Sequence, residues 1–173
     1  MNKKILKIIG VIIAFILCFP FHFLYDKFPC FLTSIFAPVN ESIWEHMKLL
    51  FGSIIVSGII QKLIIIYRKE KVNNICFSNF IGALLSIPIF LILFLPIYFI
   101  IGENFILTIS IMLLTIILSE IISYKIMNQK DFNMENKTII FVIIIYSIFT
   151  LLTYFPLKNV LFIDPTNNTY GIR

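Results

Sequence analysis

The chain has 173 residues, 60% of them hydrophobic and only 13% charged, with a mean hydropathy of +1.00. A soluble domain carries roughly a quarter charged residues, so this composition excludes one. The formal net charge of +5 would suit nucleic acid in a soluble protein. Here the basic residues fall between apolar runs, where they encode membrane orientation, and no basic patch with interleaved aromatics occurs. The lipid bilayer is the expected partner, and nucleic acid is not.

Apolar runs of about 20 residues recur along the chain, the length that crosses a bilayer. They are continuous rather than alternating, which excludes a transmembrane barrel. The expected architecture is an all-α membrane protein, a bundle of about five transmembrane helices forming a single integral membrane domain over residues 1–173.

The first span covers about residues 5–24. Lys3 and Lys4 before it imitate a signal peptide, but the run is too long for a signal h-region and no A-x-A site follows, so it reads as uncleaved. His22 lies near its far end, after Pro20. Pro29 and Pro38 bracket an apolar stretch, residues 30–36, that is too short to span and reads as a short interfacial or re-entrant segment. The second span covers about 41–67 and is followed by Arg68, Lys69 and Lys71. The third, about 77–101, contains Pro88 and Pro96, each of which removes a backbone donor and is expected to kink the helix. Gly102, Glu103 and Asn104 make a tight connection to the fourth span, about 105–124. Lys125, Lys130 and Lys137 flank a polar loop before the fifth, about 138–155, and a polar tail occupies 156–173.

Five spans place the termini on opposite sides. Lys3, Lys4, Lys7, Lys62, Arg68, Lys69, Lys71, Lys125, Lys130 and Lys137 share one side, against Lys27, Lys48, Lys158 and Arg173 on the other. The excess marks the first side as cytoplasmic, so the expected topology in the cell membrane is amino terminus inside and carboxyl terminus outside. His22, Asp26, Asn40, Glu41, Glu45, His46, Glu103, Asp164, Asn167 and Tyr170 then gather at the outer face. Glu120 falls near the inner end of the fourth span, where it is expected to snorkel or to pair with a loop lysine. Cys18, Cys30 and Cys76 form no CxxC pair and read as buried, inert thiols.

The densest chemistry lies in residues 38–48, Pro-Val-Asn-Glu-Ser-Ile-Trp-Glu-His-Met-Lys, at the head of the second span. At about 100° per residue, a helix begun at Glu41 places Glu45, Lys48 and Gly52 within about 40° of it, with His46, Ser42, Ser53 and Ser57 alongside. One half of this helix is therefore polar for about four turns, and it must face other helices or a wet cavity. Helix capping accounts for part of the motif: Asn40 is a good N-cap, Val39 and Trp44 fit a hydrophobic staple, and Ser42 with Glu45 fits a capping box. Capping does not account for His46 and Lys48.

The candidate polar cluster is thus His22, Asn40, Glu41, Glu45, His46, Lys48 and Asp164. One reading is a metal site, zinc first, on His22, His46, Glu45 and Asp164, since imidazole and carboxylate suit zinc and a catalytic zinc keeps an open position beside three protein ligands. No H-E-x-x-H spacing is present. The other is an ion-pair network of Glu41, Glu45 and Lys48 that binds an amine or a lipid headgroup, relays protons, or simply ties spans together. The tail from Asp164 to Gly171 is turn chemistry, expected to fold over the outer mouth. His22 and Asp164 are expected within one side-chain reach of the Glu41–His46 turn.

The motif at 38–48, together with the closing Asp-Pro-Thr-Asn-Asn-Thr-Tyr-Gly at 164–171, resembles a family of small bacterial multi-pass membrane proteins with no assigned function. The resemblance implies a recurrent membrane fold and no activity. The expected function is an integral membrane protein with an outward-facing polar pocket for a ligand or metal. The alternatives are a metal-dependent membrane hydrolase acting on a lipid or peptide, by loose analogy with membrane-embedded zinc hydrolases such as alkaline ceramidases, and a small transporter or transporter subunit. A transporter needs a polar path at mid-depth, and the polarity visible there in the sequence is thin.

Overall fold

A computed structural model of the protein describes residues 2–102 and 104–172. Glu103 and Arg173, counted above toward the outer face, lie outside the described residues.

Helix α1, Lys3–His22, opens with Asn2, whose side chain accepts the Lys4 backbone N–H. Leu6, Gly10, Ala14 and Cys18 recur every four residues and form its buried stripe, while Ile5, Ile8, Ile12 and Ile16 form an exposed apolar face. Short helices α2, Leu24–Lys27, and α3, Phe31–Phe36, cross the end of the bundle. Phe31, Leu32 and Phe36 of α3 point outward and only Ser34 is buried, as suits a segment at a membrane interface.

Helix α4, Ile43–Tyr67, is the centre of the molecule. From Ile43 to Gly58 none of its residues is exposed, because α1 and α5 pack on two of its sides. Both its polar and its apolar faces are thus covered by protein. Helix α5, Ile75–Ile101, runs unbroken through Pro88 and Pro96. Helix α6, Phe105–Met127, is capped by the Asn104 side chain and buries a stripe of Thr115, Ser119 and Ser123 against α1 and α5. Small residues at such positions let membrane helices approach closely. Helix α7, Glu135–Tyr154, is peripheral, packs on α3 and α5, and buries only Thr138, Phe149 and Thr153. These five long helices, α1 and α4 to α7, are long and apolar enough to cross a membrane.

The tail ends in a two-stranded antiparallel hairpin, β1 Ile163–Asp164 with β2 Thr169–Tyr170, pairing Ile163 with Tyr170. Asn168 takes the positive φ its turn requires, and Gly171 takes a positive φ just past β2. Cys18, Cys30 and Cys76 are all free, as expected, but only Cys18 is buried; Cys76 is half-buried and Cys30 exposed. Cys30 sits in the loop that leads into α3, where no helix covers it.

Candidate functional site

The motif folds as a turn before it becomes a helix. Asn40 Oδ1 accepts the Ser42 backbone N–H at 2.9 Å, and its Nδ2 donates across the molecule to the Gly171 carbonyl at 2.9 Å. Ser42, in extended backbone, is the N-cap of α4, and its hydroxyl accepts the Glu45 N–H at 3.4 Å. The cap expected at Asn40 is therefore made by Ser42, and Asn40 instead latches the tail. Trp44 completes the latch: its backbone N–H donates to the Leu161 carbonyl at 2.8 Å, and its ring stacks on Phe162 and packs on Phe149.

Because α4 starts at Ile43, Glu41 lies in the turn and Glu45 in the first helical turn, and the two carboxylates part company. Glu45 turns into the bundle. Its carboxylate pairs with Lys48 Nζ at 2.5 Å, accepts Thr153 Oγ1–H of α7 at 2.6 Å and the Val39 N–H at 3.2 Å. Lys48 also donates to the Ser34 carbonyl at 2.9 Å. Among the described residues this pair joins α3, α4 and α7, with both side chains almost fully buried.

Glu41 turns the other way, toward the imidazoles. Glu41 Oε2 lies 3.4 Å from His22 Nε2 and 3.8 Å from His46 Nε2. One donor atom from each of His22, Glu41 and His46 lies within 4.8 Å of the other two. His46 Nδ1 sits 3.0 Å from the Ser42 carbonyl. A carbonyl there calls for an N–H on Nδ1, which leaves the lone pair of neutral His46 on Nε2, aimed at a carboxylate. The hydrogen bond from His22 holds the Glu41 carboxyl below its usual value of 4.5, against the opposing effect of partial burial. Glu41 therefore stays a carboxylate.

Asp164 is buried beside this region but serves the tail's own turn, accepting from the Thr166 N–H at 2.9 Å, Thr166 Oγ1–H at 2.6 Å and Asn167 Nδ2–H at 2.5 Å. The group that the structure brings together is thus His22, Glu41 and His46. Of the four expected metal ligands, Glu45 belongs to the Lys48 pair and Asp164 to the hairpin turn, while Glu41, expected only in the wider polar cluster, stands between the rings.

The triad opens on a cavity of about 460 Å³ between α1, α4, α5 and α6. Thr166 of the tail and Asn104 line it near the triad, and Phe15, Leu49, Phe94 and Met112 line it deeper in. Neither this cavity nor its lining is visible in a one-dimensional pattern.

A second polar group, at the lysine-rich end of the bundle, also escapes the sequence. Lys7 Nζ pairs with Glu120 Oε2 at 3.1 Å and donates to Asn79 Oδ1 at 2.5 Å and Ser123 Oγ at 2.6 Å. Gln61 Nε2 donates to Glu120 Oε1 at 2.8 Å. Glu120 does pair with a lysine, but one inside the first span rather than in a loop. Gly10 and Gly58 make room for this group, since a Cβ at Gly58 would lie 2.7 Å from Asn79 Cβ.

None of the curated proteins and none of the solved structures compared with the chain matches it. One family model does match, over residues 1–172. The chain belongs to that family, a family of unknown function (DUF6512).

Proposed function

We propose that this integral membrane protein binds a divalent metal ion, zinc first, on His22, Glu41 and His46, at the end of the bundle that faces out of the cell membrane. The spacing of the three donors carries the reading. Two ligands of a tetrahedral zinc at about 2.1 Å stand about 3.4 Å apart, and Glu41 Oε2 is 3.4 and 3.8 Å from the two imidazole nitrogens. The Ser42 carbonyl on His46 Nδ1 is the kind of outer partner that fixes a ligating imidazole's tautomer. Three protein ligands leave a fourth position for water or a ligand, and the adjoining cavity supplies the room.

The same open position supports a metal-dependent hydrolase as a second reading, favoured by that cavity. Transport is less well supported: polar side chains do occur at mid-depth, but Ser53 and Ser57 are both fully buried in close packing.

The test is metal analysis of the detergent-purified protein. One zinc per chain is expected, lost in His46→Ala and Glu41→Gln and retained in Glu45→Gln and Asp164→Asn. A metal-free wild type after zinc loading and desalting would overturn the reading, as would full occupancy in both ligand variants.

A further inference from the structure

The cavity beside the triad is graded from polar to apolar. His22, Glu41, His46 and Thr166 stand at one end, with Phe23, Ile43 and Phe105 around them. The lining then runs inward for about two helical turns on α1, from His22 to Phe15, and on α6, from Phe105 to Met112, with Leu49 on α4 and Phe94 on α5 between them. Seven residues of helix rise about 10 Å. A guest must therefore have a polar head at the triad and an apolar body pointing toward mid-membrane. The volume, about 460 Å³, is in the range of small-ligand sites.

From this grading we infer that the cavity takes a single-chain carboxylate amphiphile, a fatty acid, with its carboxylate at the triad and its chain between α1, α4, α5 and α6. A chain gains little by leaving lipid for an apolar cavity, because lipid tails are equally apolar. Selection must come from the head. A carboxylate can fill the fourth position of the proposed metal ion, and His22 Nδ1, a buried atom with no hydrogen-bond partner, is a further polar group at that end. The head's anchor rests on the metal reading; the place of the chain does not.

A second groove, about 780 Å³ along α3, α4 and α7, provides the contrast. Its lining is mostly apolar: the hydroxyls of Ser147 and Thr150 are spent on the Ile143 and Tyr146 carbonyls of their own helix, Tyr154 pairs with Ser34, and Tyr146 adds one phenol. It carries no charged or imidazole group to hold a carboxylate head and is expected to hold bilayer lipid without selection.

The experiment uses the full chain in zinc-loaded nanodiscs and a fatty acid carrying a diazirine and an alkyne, with labelled residues mapped by peptide mass spectrometry. Labelling near Phe15, Leu49 and Met112 should exceed that near Ile55 and Val142 by roughly tenfold, the factor that one charge-assisted contact supplies. Excess unlabelled palmitic acid should erase the difference, and Met112→Trp should do the same while zinc stays bound. A diazirine phosphatidylcholine should favour the second groove. Even labelling of both sites by the fatty acid, or stronger cavity labelling by the phospholipid, overturns the inference. Zinc bound with no cavity labelling sinks the amphiphile alone. Cavity labelling without zinc sinks the metal reading and leaves the amphiphile standing.

Discussion

Glu45 and Lys48 stand one turn apart on α4 and pair at 2.5 Å inside the bundle, their side chains 2% and 0% exposed. Three elements converge on this pair, through the Ser34 carbonyl, the Thr153 hydroxyl and the Val39 amide. It therefore fixes how the α3 segment and the peripheral α7 sit on the central helix. The energetics of buried pairs make this testable. Removing one partner strands a charge, at about 3–5 kcal/mol, whereas an apolar replacement of both can be nearly neutral. Glu45→Leu and Lys48→Met should each destabilise strongly in detergent unfolding, and the double variant should recover most of the loss. Equal, additive losses would show that the charges act separately.

The tail latch yields a second expectation. Ser42→Ala removes the α4 cap and should cost about 1 kcal/mol. Asn40→Ala should leave α4 capped but free the tail, since its link to the Gly171 carbonyl is lost. Trp44→Ala removes the ring that stacks on Phe162 and should cost about 3–5 kcal/mol. Limited proteolysis reads the distinction: cleavage after Phe155 should accelerate in Asn40→Ala and Trp44→Ala, and not in Ser42→Ala.

At the lysine-rich end the packing is tight enough to test with single methyl groups. A Cβ at Gly58 would meet Asn79, which Lys7 and Ser123 hold in place, and a Cβ at Gly10 would meet Glu120 Oε1 at 2.6 Å and the Gln61 amide. Gly58→Ala and Gly10→Ala should each cost about 1–3 kcal/mol through overpacking. Gln61→Ala should partly rescue Gly10→Ala by vacating that space. Absence of any rescue would place the strain on the carboxylate instead.

These relationships differ in how far they can be read from residues alone. Hydropathy and the lysine pattern suffice for the five helices, because a long apolar run has one good solution in a bilayer. The polar half of α4 was legible too, since helical periodicity brings Glu45, Lys48, Ser53 and Ser57 onto covered faces. The roles of Glu41 and Glu45 were not. A helix started at Glu41 aligns the two carboxylates, whereas the observed start at Ile43 leaves Glu41 in a turn, free to face the rings while Glu45 goes inward. Two residues of helix boundary decide which carboxylate meets the imidazoles. Lys7 and Glu120 are far apart in sequence, and each alone reads as an end-of-helix charge. Only the packing of α1 on α6 makes them a pair.

The orientation of the bundle is the last expectation, and the structure sharpens its basis. Charges bias topology when they flank spans and meet the membrane surface. Lys7 and Lys48 are withdrawn into buried ion pairs, one at each end, and drop out of the comparison. Lys4, Arg68, Lys69, Lys71, Lys125, Lys130 and Lys137 remain at the surface of the end opposite the tail, against Lys27 and Lys158 at the tail's end. The bias survives the correction, so the His22–Glu41–His46 end should face outward. An alkaline phosphatase fused after the tail should be active in cells, and a fluorescent protein that matures only in the cytoplasm should be dark there. The reverse pattern would place the triad on the cytoplasmic side and overturn the orientation read from the lysines.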